Sequence, residues 1–215
     1  VDQSSGETGN PVAKATASTT GKNNPKNSSA AGRWISLPGY STDINDYSIV
    51  LVNGVLGDEK DFIEALKKYK GAAIGFFNPS QGIVKDLMEC RAQQKGEDPN
   101  NLARDLAAGV NSVKQPMKLI AHSQGTLIVA LAANKYGLPS GTTFDFRSPA
   151  LNKSEAKAML GSVHAQNLTY DMKWGDGANI WASTGNPLKF ASGLYDFLTF
   201  FSVHTAEKNG LGNVK

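Results

Sequence analysis

Apolar residues along the chain fall into two alternating patterns. Short, nearly continuous runs occur at Ser48-Ile49-Val50-Leu51-Val52, Ala72-Ala73-Ile74-Gly75-Phe76-Phe77 and Lys118-Leu119-Ile120-Ala121, with the length and composition of buried strands. Between them the apolar positions recur at helical spacing. Asp58 is placed to cap a helix carrying Phe62, Ile63, Leu66 and Tyr69 on one face, closed by three lysines and Gly71. Asn78-Pro79 leads into a second helix containing Val84, Leu87 and Met88, and after a polar loop over 96–101 a third carries Leu102, Leu106, Val110 and Val113. A fourth helix is predicted over 126–136 and a short one over 154–160, with later strands over 143–146 and 167–172. Buried strands separated by helices predict an α/β fold, a mainly parallel sheet with helices on both faces.

Residues 1–33 break this pattern. They are mostly Ser, Thr, Asn, Gly, Lys and Ala, with no aromatic before Trp34, and cannot bury enough surface to offset their ordering entropy. They are expected to be a disordered linker or leader, with one catalytic domain over 34–215. The chain begins at Val rather than Met, as a processed product or a fragment of something longer would. The 22 basic and 19 acidic residues leave a net charge of +3, no footprint for nucleic acid. No apolar run reaches the roughly 18 residues of a membrane-spanning helix. The single cysteine, Cys90, excludes an internal disulfide and has no motif around it, so it is expected to be structural. Three scattered histidines do not supply a metal cluster, and no metal or cofactor is expected.

Chemistry enters at Ala121-His122-Ser123-Gln124-Gly125. A strand that ends, a single residue at the tip and a helix that begins at once form a nucleophile elbow, which needs small residues two before and two after the nucleophile because strand and helix nearly touch there. Ala121 and Gly125 meet that requirement. The same tripeptide at Ser80-Gln81-Gly82 does not: Asn78 stands two before, and Pro79 has no N–H, so this copy reads as a turn. A serine hydroxyl needs a base, and the base a carboxylate. His122 adjoins Ser123 and should point away from the hydroxyl, and His164 reads as a surface loop residue. His204 follows every plausible acid and fits the order nucleophile, acid, histidine. The acid is Asp176, in the loop Lys173-Trp174-Gly175-Asp176-Gly177, with Asp171 as rival and Asp145 and Asp196 as more distant options. The oxyanion hole would be the backbone N–H of Gln124 with one from Gly54 or Val55. Trp181, Leu194, Tyr195, Phe197 and Phe200 would line an acyl-chain pocket or form helix core.

Val50-Leu51-Val52-Asn53-Gly54, Phe77-Asn78-Pro79-Ser80-Gln81-Gly82 followed by Asp86 and Glu89, Ile120-Ala121-His122-Ser123-Gln124-Gly125, and a late Asp-then-His pair together resemble the lipase-like α/β-hydrolase domains at the C-termini of bacterial polymorphic toxins, including those of contact-dependent growth inhibition. The likeness covers roughly 48–207. It implies a secreted lipase or phospholipase, delivered into neighbouring bacteria as the C-terminal part of a larger protein, that meets the membrane surface transiently to reach lipid. It also implies a cognate immunity protein. A soluble carboxylesterase or thioesterase and a catalytically inactive hydrolase-fold binding module are the alternatives.

Overall fold

The computed structural model describes residues 31–54 and 58–172. Strands β1 (Arg33–Ile35), β2 (Ile49–Val52), β3 (Ala73–Phe77), β4 (Lys118–His122), β5 (Thr143–Arg147) and β6 (Leu168–Asp171) form a 6-stranded sheet in the order β1-β3-β2-β4-β5-β6. All neighbours are parallel except β1, which pairs antiparallel with β3 at one edge. The helices are α1 (Glu59–Lys67), α2 (Ile83–Gln94), α3 (Leu102–Asn111), α4 (Gln124–Leu131) and α5 (Lys153–Ala165), and a π turn (Ala132–Tyr136) extends α4.

The period of two along each strand divides the core. Val50, Val52, Ile74, Phe76, Leu119, Ala121, Phe144 and Phe146 share one cluster with α3, α4 and the inner face of α5. On the other face Leu51, Ala73, Phe77 and Ile120 pack on Phe62, Ala65 and Leu66 of α1. Asp58 does cap α1, its carboxylate accepting from the Asp61 N–H at 2.7 Å. All eight residues of α4 are buried, which is why that segment has no polar face.

Several local expectations shift. The edge strand β1 lies in sequence without an alternating apolar run; Trp34 holds it, stacked edge-on against Phe76 with ring centroids 5.1 Å apart. Helix α5 is longer than expected, because an Asn152–Glu155 capping box opens it and Gly161, at φ 71°, is absorbed as a kink. Met88 faces outward, 69% exposed, rather than joining the core.

The connections turn around at one place. From β2 the chain crosses by α1 to β3 on one side; β4, β5 and β6 follow on the other side of β2. Loops leaving β2 and β4 therefore diverge to opposite faces, opening a crevice at the carboxyl ends of these two neighbours, where open α/β sheets bind their ligands.

Candidate active site

Both sides of that crevice are built from residues with unusual backbone demands. Ser123, between the end of β4 and the first residue of α4, has φ 53° and ψ −124°, a conformation L-residues seldom adopt. Its neighbours over-determine it. The Ser123 N–H donates to the Arg147 carbonyl at 3.2 Å, extending the β4–β5 ladder, and its own carbonyl accepts from the Thr126 N–H at 3.0 Å and the Thr126 hydroxyl at 2.6 Å. Thr126 is held in turn by the Ala150 N–H at 3.2 Å. Ser123 itself is 2% exposed.

Close backbone approach accounts for the two glycines. A methyl group on Gly125 would sit 2.6 Å from the Val52 carbonyl oxygen and 2.7 Å from that of Asn53, so α4 starts in backbone contact with the end of β2. A methyl on Gly54 would lie 2.5 Å from Ser123 Cβ and 3.1 Å from its Oγ. Gly54 is thus laid directly against the serine side chain. The Gln124 N–H belongs to the first turn of α4 and has no intrahelical acceptor, leaving it and the positive end of the helix dipole beside the serine.

The loop carrying Gly54 is fixed by amides. Asn53 Nδ2 donates to the Gly54 carbonyl at 3.0 Å and to the Asn78 carbonyl at 2.9 Å, while Asn53 Oδ1 accepts from the Asn78 N–H at 2.6 Å. The side chain replaces the next ladder rung between β2 and β3. Asn78 Nδ2 donates to Gln124 Oε1 at 3.0 Å, Gln124 Nε2 to Gln93 Oε1 at 3.2 Å, and Gln93 Nε2 to Glu89 Oε1 at 3.0 Å. All of these side chains are buried. Burial pushes the Glu89 carboxyl up to about 7, with Asp86 and Asp98 adding to the effect against hydrogen bonds from Asn100 and Gln81. Sequence reading passed over this network. Its traces were Gln124 opening an otherwise apolar helix and Glu89 and Gln93 spaced to share a helix face.

Of the expected site residues, Ser123, Gln124 and Gly54 come together in the crevice, whereas Val55, Asp176 and His204 lie outside the described residues, as do Asp196 and the five bulky apolar residues from Trp181 onward. Asp171 ends β6, in register with Arg147, which pairs with His122. Asp145 is engaged elsewhere, bonded to Arg147 Nη2 at 2.8 Å and 3.5 Å from Lys118 Nζ. His164 is not a surface loop residue. It closes α5, buried against Phe144 with ring centroids 5.4 Å apart, and its carbonyl accepts from Asn167 just before β6 begins. That is the amino-terminal edge of the sheet, opposite Ser123. Ser80 sits in a turn before α2, its hydroxyl donating to Asp86 at 2.6 Å and accepting from the Gly82 N–H. Cys90 is buried, and burial pushes its thiol well above its ordinary value, which leaves it protonated and unreactive.

Among the described residues no group of three or more His, Cys, Asp or Glu converges as metal ligands, and no helix is long and apolar enough to cross a membrane. A cleft of about 380 Å³ runs between α2 and α5 over Leu127, with Leu151 and Met159 also in its lining; Ser123 does not border it. No family model and no curated protein matches the chain.

Proposed function

We propose that this chain is a serine ester hydrolase of the α/β-hydrolase type, with Ser123 as its nucleophile. The observation that carries the reading is the backbone of Ser123, at φ 53° on the turn from β4 into α4, with Gly54 and Gly125 packed against it. A strained residue there has no structural use that an unstrained turn would not serve better. It aims a hydroxyl at the crevice between β2 and β4, in front of a helix N-terminus.

In this reading His204 takes the proton from Ser123 Oγ as it attacks the acyl carbon, and Asp176, or its rival Asp171, orients the imidazole. Negative charge developing on the carbonyl oxygen is met by the Gln124 N–H and a second N–H from Gly54 or Val55. The alcohol leaves with the proton from His204, and water then releases the acyl group from Ser123 by the same steps reversed in role. No cofactor takes part.

The resemblance to toxin lipase domains carries the substrate: an acyl ester of membrane lipid, in an antibacterial effector restrained by a cognate immunity protein in the producing cell. Hydrolysis of a micellar phospholipid and of a short soluble ester by the whole chain tests this. The expected result is turnover of the phospholipid, lost by about 10⁴-fold or more in Ser123→Ala. Turnover of the soluble ester alone makes the protein a carboxylesterase or thioesterase; turnover of neither leaves a hydrolase-fold binding module.

A further inference from the structure

The amide chain behind the elbow has a direction. Asn78 donates to Gln124, Gln124 to Gln93, and Gln93 to Glu89, so every side-chain bond points toward the carboxylate. Gln81 Nε2 adds a second donor to Glu89 Oε2 at 3.4 Å. An ionised carboxylate can only accept, which fixes that direction. A protonated one can donate to Gln93 Oε1. Each amide could then turn over, Gln93 donating to Gln124 and Gln124 to Asn78 Oδ1. Asn78 would turn over with them, bringing to Gln124 an oxygen that has no hydrogen bond among the described residues to lose. Asn78 Oδ1 is buried and accepts no hydrogen bond from the described residues.

We propose that Glu89 is a positioning residue for Ser123: through Gln93 and Gln124 its proton sets the direction of a buried amide chain that ends on the loop holding Gly54 against the nucleophile. This rests on the hydrolase reading of the site. The two ends of the chain are chemically meaningful there. Gln124 immediately follows the nucleophile and supplies an oxyanion N–H, and Asn78 is clamped by its backbone to Asn53, which holds the Gly54 carbonyl. Gly54 packs on Ser123 in the structure whose amides all donate toward Glu89, so the form with Glu89 ionised is assigned as the competent one. The charged groups facing Glu89 are Asp86 on its own helix and Asp98 from the loop before α3; both oppose its ionisation, as does its burial. Burial thus brings the change of direction toward neutral pH.

The test uses the whole chain. In the wild type, side-chain amide resonances of Asn78, Gln93 and Gln124 should titrate together with a midpoint near the Glu89 value of about 7, and in Glu89→Gln they should not titrate. The rate of Ser123 modification by a fluorophosphonate is followed over the same range. Wild type should show two ionisations, the histidine base and Glu89, and Glu89→Gln only one, reacting roughly five-fold more slowly at about pH 8, the worth of about one hydrogen bond. Amides that do not titrate in the wild type overturn the proposal without recourse to any variant. Labelling with identical pH profiles in both proteins overturns it while leaving the hydrolase reading standing. Absence of Ser123 labelling in either protein at any pH overturns both.

Discussion

At the scale of single residues the site is a set of contacts that allow no added atom. Gly125 shows this most sharply: a methyl group there meets the carbonyl oxygens of Val52 and Asn53, and that of Val52 cannot withdraw without disturbing the sheet. Gly125→Ala is expected to cost about 1–3 kcal/mol, measurable by chemical denaturation, and to reduce activity beyond that by pushing α4 away from the crevice. An alanine variant as stable as wild type would contradict the close approach. The sequence made this residue legible because an elbow requires a small side chain two beyond its nucleophile, and the second Ser-Gln-Gly, at 80–82, showed what the tripeptide looks like without that context. Asn53 and Asn78 were legible only as turn formers. Their clamping of β2 to β3 depends on two hydrogen bonds across 25 residues of chain, a distance no local pattern spans.

Among the elements, α2 holds the least settled chemistry. Glu89 titrates near its ordinary value of 4.5 in an unfolded chain and is pushed up to about 7 when folded. Between those values the folded protein keeps a proton that the unfolded chain has released, so stability falls as pH rises through that window. Thermal melts should give a lower midpoint at about pH 8 than at about pH 5, with a smaller difference in Glu89→Gln; a midpoint independent of pH in the wild type would remove Glu89 as the source. The long periodic elements α1, α3, β2, β3 and β4 were readable because each has one face or both faces committed to the core. β1 was not, since three residues carry no period and their placement comes from Trp34 meeting Phe76. His164 was misplaced for a related reason. The kink at Gly161 hides the continuation of α5 that buries the imidazole.

Across the whole molecule the sheet is asymmetric on the α1 face. Over β2 and β3 that face is apolar, but on β4 and β5 it carries Lys118, Asp145 and Arg147. Asp145 accepts from Arg147 with side chains 11% and 13% exposed, so Asp145→Ala removes a charge-assisted bond from a largely enclosed guanidinium that also donates to Tyr69, and should lower stability by about 1–3 kcal/mol. An effect within a few tenths of a kcal/mol would mean that the pair is solvated. The alternation of strands and helices foretold the parallel sheet, whereas strand order had to come from the structure, and with it the divergence of the β2 and β4 loops that opens the crevice. Ser123 stands at that divergence, where its hydroxyl is proposed as the nucleophile. Treatment of the whole chain with a fluorophosphonate, followed by peptide mapping, tests that role most directly. One modified serine is expected, Ser123, with Ser80 unmodified and no modification in Ser123→Ala; a modified Ser80, or a wild-type chain that takes no label, would rule out Ser123 as the nucleophile.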